Sequence, residues 1–293
     1  MITNLQLLAP PPWPDYELLD TGAGAKLERF GEVIVVRPES QAVWAQSLSE
    51  REWQRADATF EKTRSDDGPG QWRTRRPLPE QWSMHYENLR FGVRLTPFRH
   101  TGVFPEHSAH WGWMQRQITT RSDARVLVLF GYTGLTSLAA ASYGAHVTHV
   151  DASKPALLWA QANQQRSGLA QRPIRWLIDD VGKFVAREER RGNRYDLIVL
   201  DPPVFGRGPN GEVWRLHEQL LDLMERCGAL LSTQPLGLLL NAYATNLSAL
   251  TLYNVMTTVM QQHRGKVAAG ELVLPERASG RLLPTARYAY WSS

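Results

Sequence analysis

The sequence predicts an α/β protein built on a doubly wound, mostly parallel sheet, preceded by a small β-rich domain. Three observations predict it. Short apolar runs recur at Val126–Phe130, Val147–Val150, Ile174–Ile178, Tyr195–Leu200 and Gly237–Tyr243; the first has the length and β-branched content of a buried parallel strand, and the others read as strands of the same sheet. Helical stretches separate them, and strand–helix alternation favours a parallel sheet. A late pair, Lys266–Leu274 and Leu282–Trp291, has no helix between its members. It closes the sheet as a hairpin, giving seven strands with the last one antiparallel.

The length of 293 residues with 43% hydrophobic residues allows a large core and a second, smaller domain. We expect residues 1–95 to form a small N-terminal α+β domain and 96–293 the larger one. Lys and Arg number 33 against 29 for Asp and Glu, a mildly basic balance compatible with nucleic acid and far from that of a dedicated binder. The single cysteine excludes an internal disulfide and a cysteine-based metal site, and no metal is expected. No apolar run has the length of a membrane span, and the start lacks a signal peptide's basic and apolar regions. A cytoplasmic protein is the expectation.

In chain order, residues 1–15 are proline-rich and read as an arm. Tyr16–Asp20, Lys26–Phe30 and Glu32–Arg37 read as a meander of strands, which by itself is a packing module. Gln41–Arg55 has helical character, with Val43, Trp44 and Leu48 at helical spacing. Residues 61–80 are polar and rich in Gly and Pro. Trp72, Arg73, Arg75, Arg76 and the nearby Trp82 suit either an RNA backbone and a stacked base or a solvated loop. Met84–Leu95 alternates as a strand pair with a turn near Glu87-Asn88, and the domains join around Thr96–Gly102.

The larger domain is organised around Arg125–Asp151. Its first strand runs into Phe130-Gly131-Tyr132-Thr133-Gly134, a tight turn at which glycine permits close backbone approach to a ligand. Thr136–Tyr143 reads as a helix stopped by Gly144, and its N-terminus offers unpaired N–H groups to an anion. Asp151, followed by Ala152, ends the second strand, 20 residues beyond Gly131. At that spacing a carboxylate reaches ribose hydroxyls in nucleotide-binding units. An adenosine-containing cofactor is therefore expected. The missing G-x-G-x-x-G pattern argues against NAD or FAD.

Ser153 caps the next helix, with Pro155 in its first turn. The third strand ends on Asp179-Asp180, which suits a ligand or a helix cap. The fourth ends in Asp201-Pro202-Pro203-Val204-Phe205. Two prolines fix φ there and remove N–H donors, leaving carbonyl acceptors beside Asp201. Phe205 offers a flat face to a planar group. Arg207–Gly211 reads as a flexible loop, a lid or a phosphate contact, and Val213–Leu231 as an amphipathic helix carrying Cys227 on its apolar stripe.

Together, Val126–Gly134, Asp151, Asp180 and Asp201–Phe205 resemble the ordered motifs of class I S-adenosylmethionine-dependent methyltransferases. The chain more closely resembles, over residues 85–290, the large-subunit ribosomal RNA methyltransferases that modify cytosine C5 or guanine N7. Those carry an F-x-Y-T-G turn and a D-P-P-x-F loop, here Phe130–Gly134 and Asp201–Phe205. They also carry T-G-x-F-x-[DE]-[HQ]-R, here Thr101-Gly102-Val103-Phe104-Pro105-Glu106-His107-Ser108. The resemblance implies a Rossmann-like fold and S-adenosyl-L-methionine as cofactor. It places Glu106, His107, Phe130, Gly131, Tyr132, Thr133, Gly134, Asp151, Ala152, Asp180 and Asp201 around that cofactor. Asp180 would meet the adenine amino group, and Asp201, Pro202 and Phe205 would serve the substrate. Ser108 stands where an arginine is expected, so the methionine carboxylate would fall to backbone N–H groups or His107.

Methylation of cytosine C5 needs a cysteine thiolate, which the C5-modifying relatives carry after the strand matching Gly237–Asn241. Ala242-Tyr243-Ala244 stand there in this chain. A base nitrogen of ribosomal RNA is the favoured acceptor. A protein amide or amine, or a small molecule, is the alternative within the same chemistry, and a non-catalytic RNA-binding module is the alternative outside it.

Overall fold

A computed structural model describes residues 5–62 and 70–293. The chain forms two compact units. One comprises Ala9–Glu106 and Val273–Pro284; the other comprises, among the described residues, 5–8, His107–Leu272 and Thr285–Ser293. This division differs from a single boundary at 95/96, the one expected from the sequence. The contacts place it at 106/107 and return part of the C-terminal hairpin to the N-terminal unit.

Of the arm expected over residues 1–15, residues 1–4 lie outside the described residues, as do 63–69 of the polar stretch. β1 (Gln6–Leu8) is a strand of the larger unit. The smaller unit holds β2 (Tyr16–Gly22), β3 (Ala25–Phe30), β4 (Val33–Pro38), α1 (Glu50–Trp53), β5 (Ala58–Lys62) and β6 (Gly70–Thr74). The five strands make one sheet in sequence order, with only β4 and β5 parallel. β7 (Trp82–Tyr86) and β8 (Leu89–Val93) form a separate hairpin, with Glu87 at φ +49° in its turn.

The helix expected over Gln41–Arg55 shrinks to the four residues of α1. Buried Asp20 explains this: its carboxylate accepts the backbone N–H groups of Ser47 and Leu48 and the Trp53 indole N–H. Those N–H groups are then unavailable to a helix, and Val43 is left 83% exposed. Ser49 starts the short helix by giving its N–H to Glu52 at 2.9 Å, half of a capping box. Glu28, fully buried, accepts two guanidinium bonds from Arg37 at 2.7 Å and the Tyr16 hydroxyl at 2.9 Å. Burial alone would raise the Glu28 carboxyl, but Arg37 and Lys26 hold it below the usual range.

The larger unit contains α2 (Ser108–Ile118), β9 (Arg125–Leu129), α3 (Leu135–Ser142), β10 (His146–Asp151), α4 (Lys154–Arg166), β11 (Ile174–Ile178), α5 (Val181–Arg190) and β12 (Leu197–Leu200). β13 (Phe205–Arg207), β14 (Val213–Arg215), α6 (Leu216–Ala229), β15 (Gly237–Tyr243), α7 (Ala249–Met260), β16 (Lys266–Pro275) and β17 (Leu282–Ser292) follow. The main sheet runs β1-β16-β17-β15-β12-β9-β10-β11. The strands from β15 to β11 are mutually parallel, and β17 is antiparallel to β15. The seven expected strands are joined by an eighth, β1, parallel to β16. Gly270 admits it, since a Cβ there would overlap the Gln6 carbonyl. Leu127, Val150, Phe184, Ile198, Leu223 and Leu240 belong to the main core.

Val213–Arg215 is a strand, not the first turn of the helix that the sequence suggests. β13 and β14 pair as a small antiparallel hairpin with Gly206 opposite Trp214, and the expected loop at Arg207–Gly211 runs from β13 into its tip. The Leu216 N–H bonds to the Val204 carbonyl at 3.0 Å, which delays the helix to that residue.

Candidate functional site

The strand order reverses at β9, with β10 on one side and β12 on the other. Ligands of doubly wound sheets bind at the carboxyl ends of strands at this switch point. Three candidate segments meet that description: the turn after β9, Asp151 at the end of β10, and the loop after β12.

The turn is held from inside. Phe130 and Tyr132 sit at φ +57° and +49°, left-handed values costly for side chains of their size. Gly134 sits at φ +83° and precedes α3. A Cβ on Gly131 would stand 2.5 Å from Nδ1 of His149, and one on Gly134 would stand 2.7 Å from the Ala160 Cβ and 3.0 Å from the Trp176 ring. The glycines are thus demanded by the protein's own packing, in addition to any ligand on the turn. His149 is fully buried and shares a 2.9 Å hydrogen bond with Ser137 through Nδ1. Burial pushes its imidazole down to about 3, so it is neutral. Asn163 donates to the Thr133 carbonyl at 3.1 Å from α4.

Asp151 joins turn to strand. One carboxylate oxygen accepts the Tyr132 N–H at 2.8 Å, and the other accepts the Ser153 N–H at 2.8 Å. Each oxygen keeps a further lone pair for a hydroxyl. Burial raises the carboxyl above its ordinary value, and the two N–H groups oppose that rise. Ala152, half-buried, continues the chain between Asp151 and Ser153. Asp180 is the N-cap of α5 and accepts the Lys183 N–H at 2.9 Å through Oδ1. Asp179 pairs with Arg187.

At the end of β12, the Asp201 N–H reaches the Leu129 carbonyl at 3.3 Å. The Asp201 carboxylate lies 3.5 Å from Nε2 of His107. Burial, and secondarily His110, push His107 down to about 3, so a neutral ring faces the carboxylate. Pro203 is not free of donors as its neighbours in sequence suggested: Trp214 gives its indole N–H to the Pro203 carbonyl at 2.7 Å. Trp214 packs against Phe130 at 5.3 Å between ring centroids, linking this loop to the β9 turn. Phe205 begins β13 and is 53% exposed. Trp214 is a site residue absent from the sequence expectation; a tryptophan just beyond the polar stretch Arg207–Glu212 was the available signal.

Glu106 closes the N-terminal unit and is buried, its carboxyl raised by that burial. The charges acting on it are Lys26, Arg37 and Glu28. Arg75 and Arg76 both pair with Asp57, at 3.6 and 2.6 Å. Trp72 and Trp82 give their indole N–H groups to the Thr96 and Phe30 carbonyls. The arginine and tryptophan run is thus largely engaged within its own unit. Among the described residues, no cluster of His, Cys, Asp and Glu suits a metal ion, and no helix is long and apolar enough to cross a membrane.

A switch-point turn, an acid at the end of the next strand and an Asp-Pro-Pro loop on this sheet are the arrangement expected of a class I methyltransferase. Residues 40–242 match the S-adenosylmethionine-dependent methyltransferase family, and the chain belongs to it. It is an enzyme whose cofactor is S-adenosylmethionine. A SAM-dependent methyltransferase from Agrobacterium tumefaciens, of known crystal structure, is 45% identical, with a TM-score of 0.94 over 98% of this chain and 93% of that one. A methyltransferase from Streptococcus mutans, 17% identical, shares the fold at a TM-score of 0.69 over 94% of this chain and 75% of that one. The ribosomal RNA large subunit methyltransferase K/L of Syntrophotalea carbinolica is 32% identical over 170 residues, 56% of this chain and 23% of that protein. The ribosomal RNA large subunit methyltransferase K of Neisseria meningitidis serogroup B is 31% identical over 138 residues, 45% of this chain and 38% of that protein. The matched part is about a quarter of the length of the K/L relatives.

Proposed function

We propose that this methyltransferase acts on a base nitrogen of RNA, with ribosomal RNA as the favoured substrate. The observation that carries the reading is the loop after β12: an acid, two prolines and a half-exposed Phe205 project from the strand beside the glycine turn. The names of the curated relatives support RNA as the acceptor. The cofactor supplies an activated methyl group on a sulfonium. Asp151 fits its ribose, because each carboxylate oxygen has one backbone N–H and spare acceptor capacity. Asp180 fits its adenine amino group through Oδ2, the oxygen not used in capping α5. Backbone N–H groups or the neutral His107 ring remain for its carboxylate.

Transfer to a nitrogen depends more on alignment than on acid–base chemistry. Asp201 and the Pro202 carbonyl accept the N–H of an exocyclic or ring amine and aim its lone pair. Phe205 stacks on the base. Cys227 supports nitrogen over carbon, since it is fully buried on α6 and burial raises its thiol far above neutrality. Incubation with radiolabelled S-adenosylmethionine and, separately, ribosomal RNA and protein from a strain lacking the gene tests the reading. Label in RNA digests as an N-methylated nucleoside is expected. Label in protein alone, or in small molecules, overturns it.

A further inference from the structure

The opposite end of the parallel sheet carries a second feature that the proposed reaction does not use. A groove of about 350 Å³ opens at the amino ends of β9, β10 and β11, lined among others by Arg125, His146, Thr148, Pro173, Arg175 and Tyr195. Strand register builds it. Arg125 lies opposite His146 and Thr148 lies opposite Arg175, and directly opposed residues project from the same face of a sheet. Further along that face, Leu127 and Val150 are covered by Phe184 and Val185 of α5. The helix ends at Arg190, and the first residues of the strands are left to solvent.

The groove is positively charged and preformed. Arg125, His146 and Arg175 are exposed, while Tyr195 and Thr148 are buried beneath them. The Arg125 guanidinium lies over the Tyr195 ring at 5.3 Å, which reduces the freedom it would lose on binding a phosphate. No carboxylate lines the groove. The acids that touch Tyr195 and the Arg125 backbone, Glu188 and Asp196, are already occupied. Glu188 accepts from Tyr195, Asn193 and Arg191, although its field also reaches Arg175. Asp196 takes Arg121, Ser232 and the Arg125 N–H. β9 and β11 are two strand spacings apart, roughly 10 Å, so the arginines are placed to hold separate phosphates.

We propose that this groove is a second RNA-docking surface, which grips the phosphate backbone of the substrate at the end of the sheet away from the methyl-transfer site. The proposal rests on RNA being the substrate. It adds an anchor that carries affinity but no base chemistry, since phosphate contacts position a nucleic acid and do not read it.

The test uses the full chain and short labelled transcripts tiling large-subunit ribosomal RNA. Binding is followed by anisotropy across a salt series. The double variant Arg125→Gln/Arg175→Gln should bind at least about tenfold more weakly at low salt. The slope of log affinity against log salt should fall by about 2, roughly one per phosphate contact. Arg125→Lys/Arg175→Lys should restore most of both, and S-adenosylhomocysteine affinity should not change in either. If the wild type binds RNA and the glutamine variant matches it in affinity and slope, the groove is not a docking surface. Failure of the wild type to bind any transcript sinks the RNA reading itself. Loss in both double variants alike would assign the effect to packing on Tyr195 and overturn the phosphate role.

Discussion

The turn after β9 and the loop after β12 are neighbours at the carboxyl ends of adjacent strands, yet they are rigid for opposite reasons. The β9 turn is rigid from within: His149, Ala160 and Trp176 occupy the space where side chains at Gly131 and Gly134 would go, and Asp151 and Asn163 hold its backbone. The β12 loop is rigid by covalent structure, through Pro202 and Pro203, with pins from the Trp214 indole to Pro203 and from the Leu216 N–H to Val204. Phe205, the substrate contact proposed above, is exposed at its end. Damage to the turn should therefore register as lost stability and cofactor affinity. Damage to the loop should register as lost turnover.

The largest expected effect breaks the turn. Gly134→Ala combines a left-handed φ, costing about 1–2 kcal/mol, with overpacking of about 1–3 kcal/mol. Urea unfolding should show the sum. Gly131→Ala should show the overpacking alone, and adding His149→Ala should recover part of it, because the two side chains would compete for one space. Additive losses in that double variant would mean that His149 is not what excludes a side chain at Gly131.

Next comes the loop. Asp201→Ala and Phe205→Ala should leave stability nearly unchanged. Phe205→Ala should lower kcat roughly ten- to a hundredfold, the equivalent of about 1–3 kcal/mol for one stacked base, with S-adenosylhomocysteine affinity intact. An unaltered rate would mean that no planar ring is clamped there and would favour a non-planar acceptor.

Asp151→Ala tests the seam between turn and strand. Calorimetry should show adenosyl-ligand affinity falling by more than the about 1–3 kcal/mol of a single buried hydrogen-bonding group, because two ribose hydroxyls lose their acceptor. Normal binding by this variant would refute the ribose assignment.

A smaller effect should appear on acidification. His149 is held near 3 in the folded protein by burial, below the unfolded value of about 6.5. The unfolded chain binds the extra proton between those limits, so stability is complete above about pH 6.5 and declines as pH falls towards 3. Between pH 7.5 and 5.5 this one residue should remove about 1.4 kcal/mol. Replacing His149 with Gln should flatten that part of the pH–stability curve, and a curve of unchanged slope would contradict its buried, neutral state.

The smallest effect on turnover belongs to Cys227→Ser. A hydroxyl placed among the apolar side chains of α6 should cost about 1–3 kcal/mol of stability but leave methyl transfer near the wild-type rate. A folded, cofactor-binding variant without turnover would revive a thiolate mechanism.

Much of this was legible in the order of residues. Apolar runs such as Val126–Leu129 mark strands, Gly144 and Ser153 mark helix limits, and Asp151 and Asp201 mark strand ends, because these are local effects of propensity, capping and spacing. Contacts between distant residues decided the rest. Asp20 consumed N–H groups that a longer helix at residues 41–55 needed, Trp214 turned the start of a helix into a hairpin, and Gly270 admitted an eighth strand. The sequence alone determined that glycines stand at the β9 turn. Only the tertiary structure decided what they avoid, since His149 and Trp176 reach that turn through strand pairing, an arrangement that no spacing along the chain encodes.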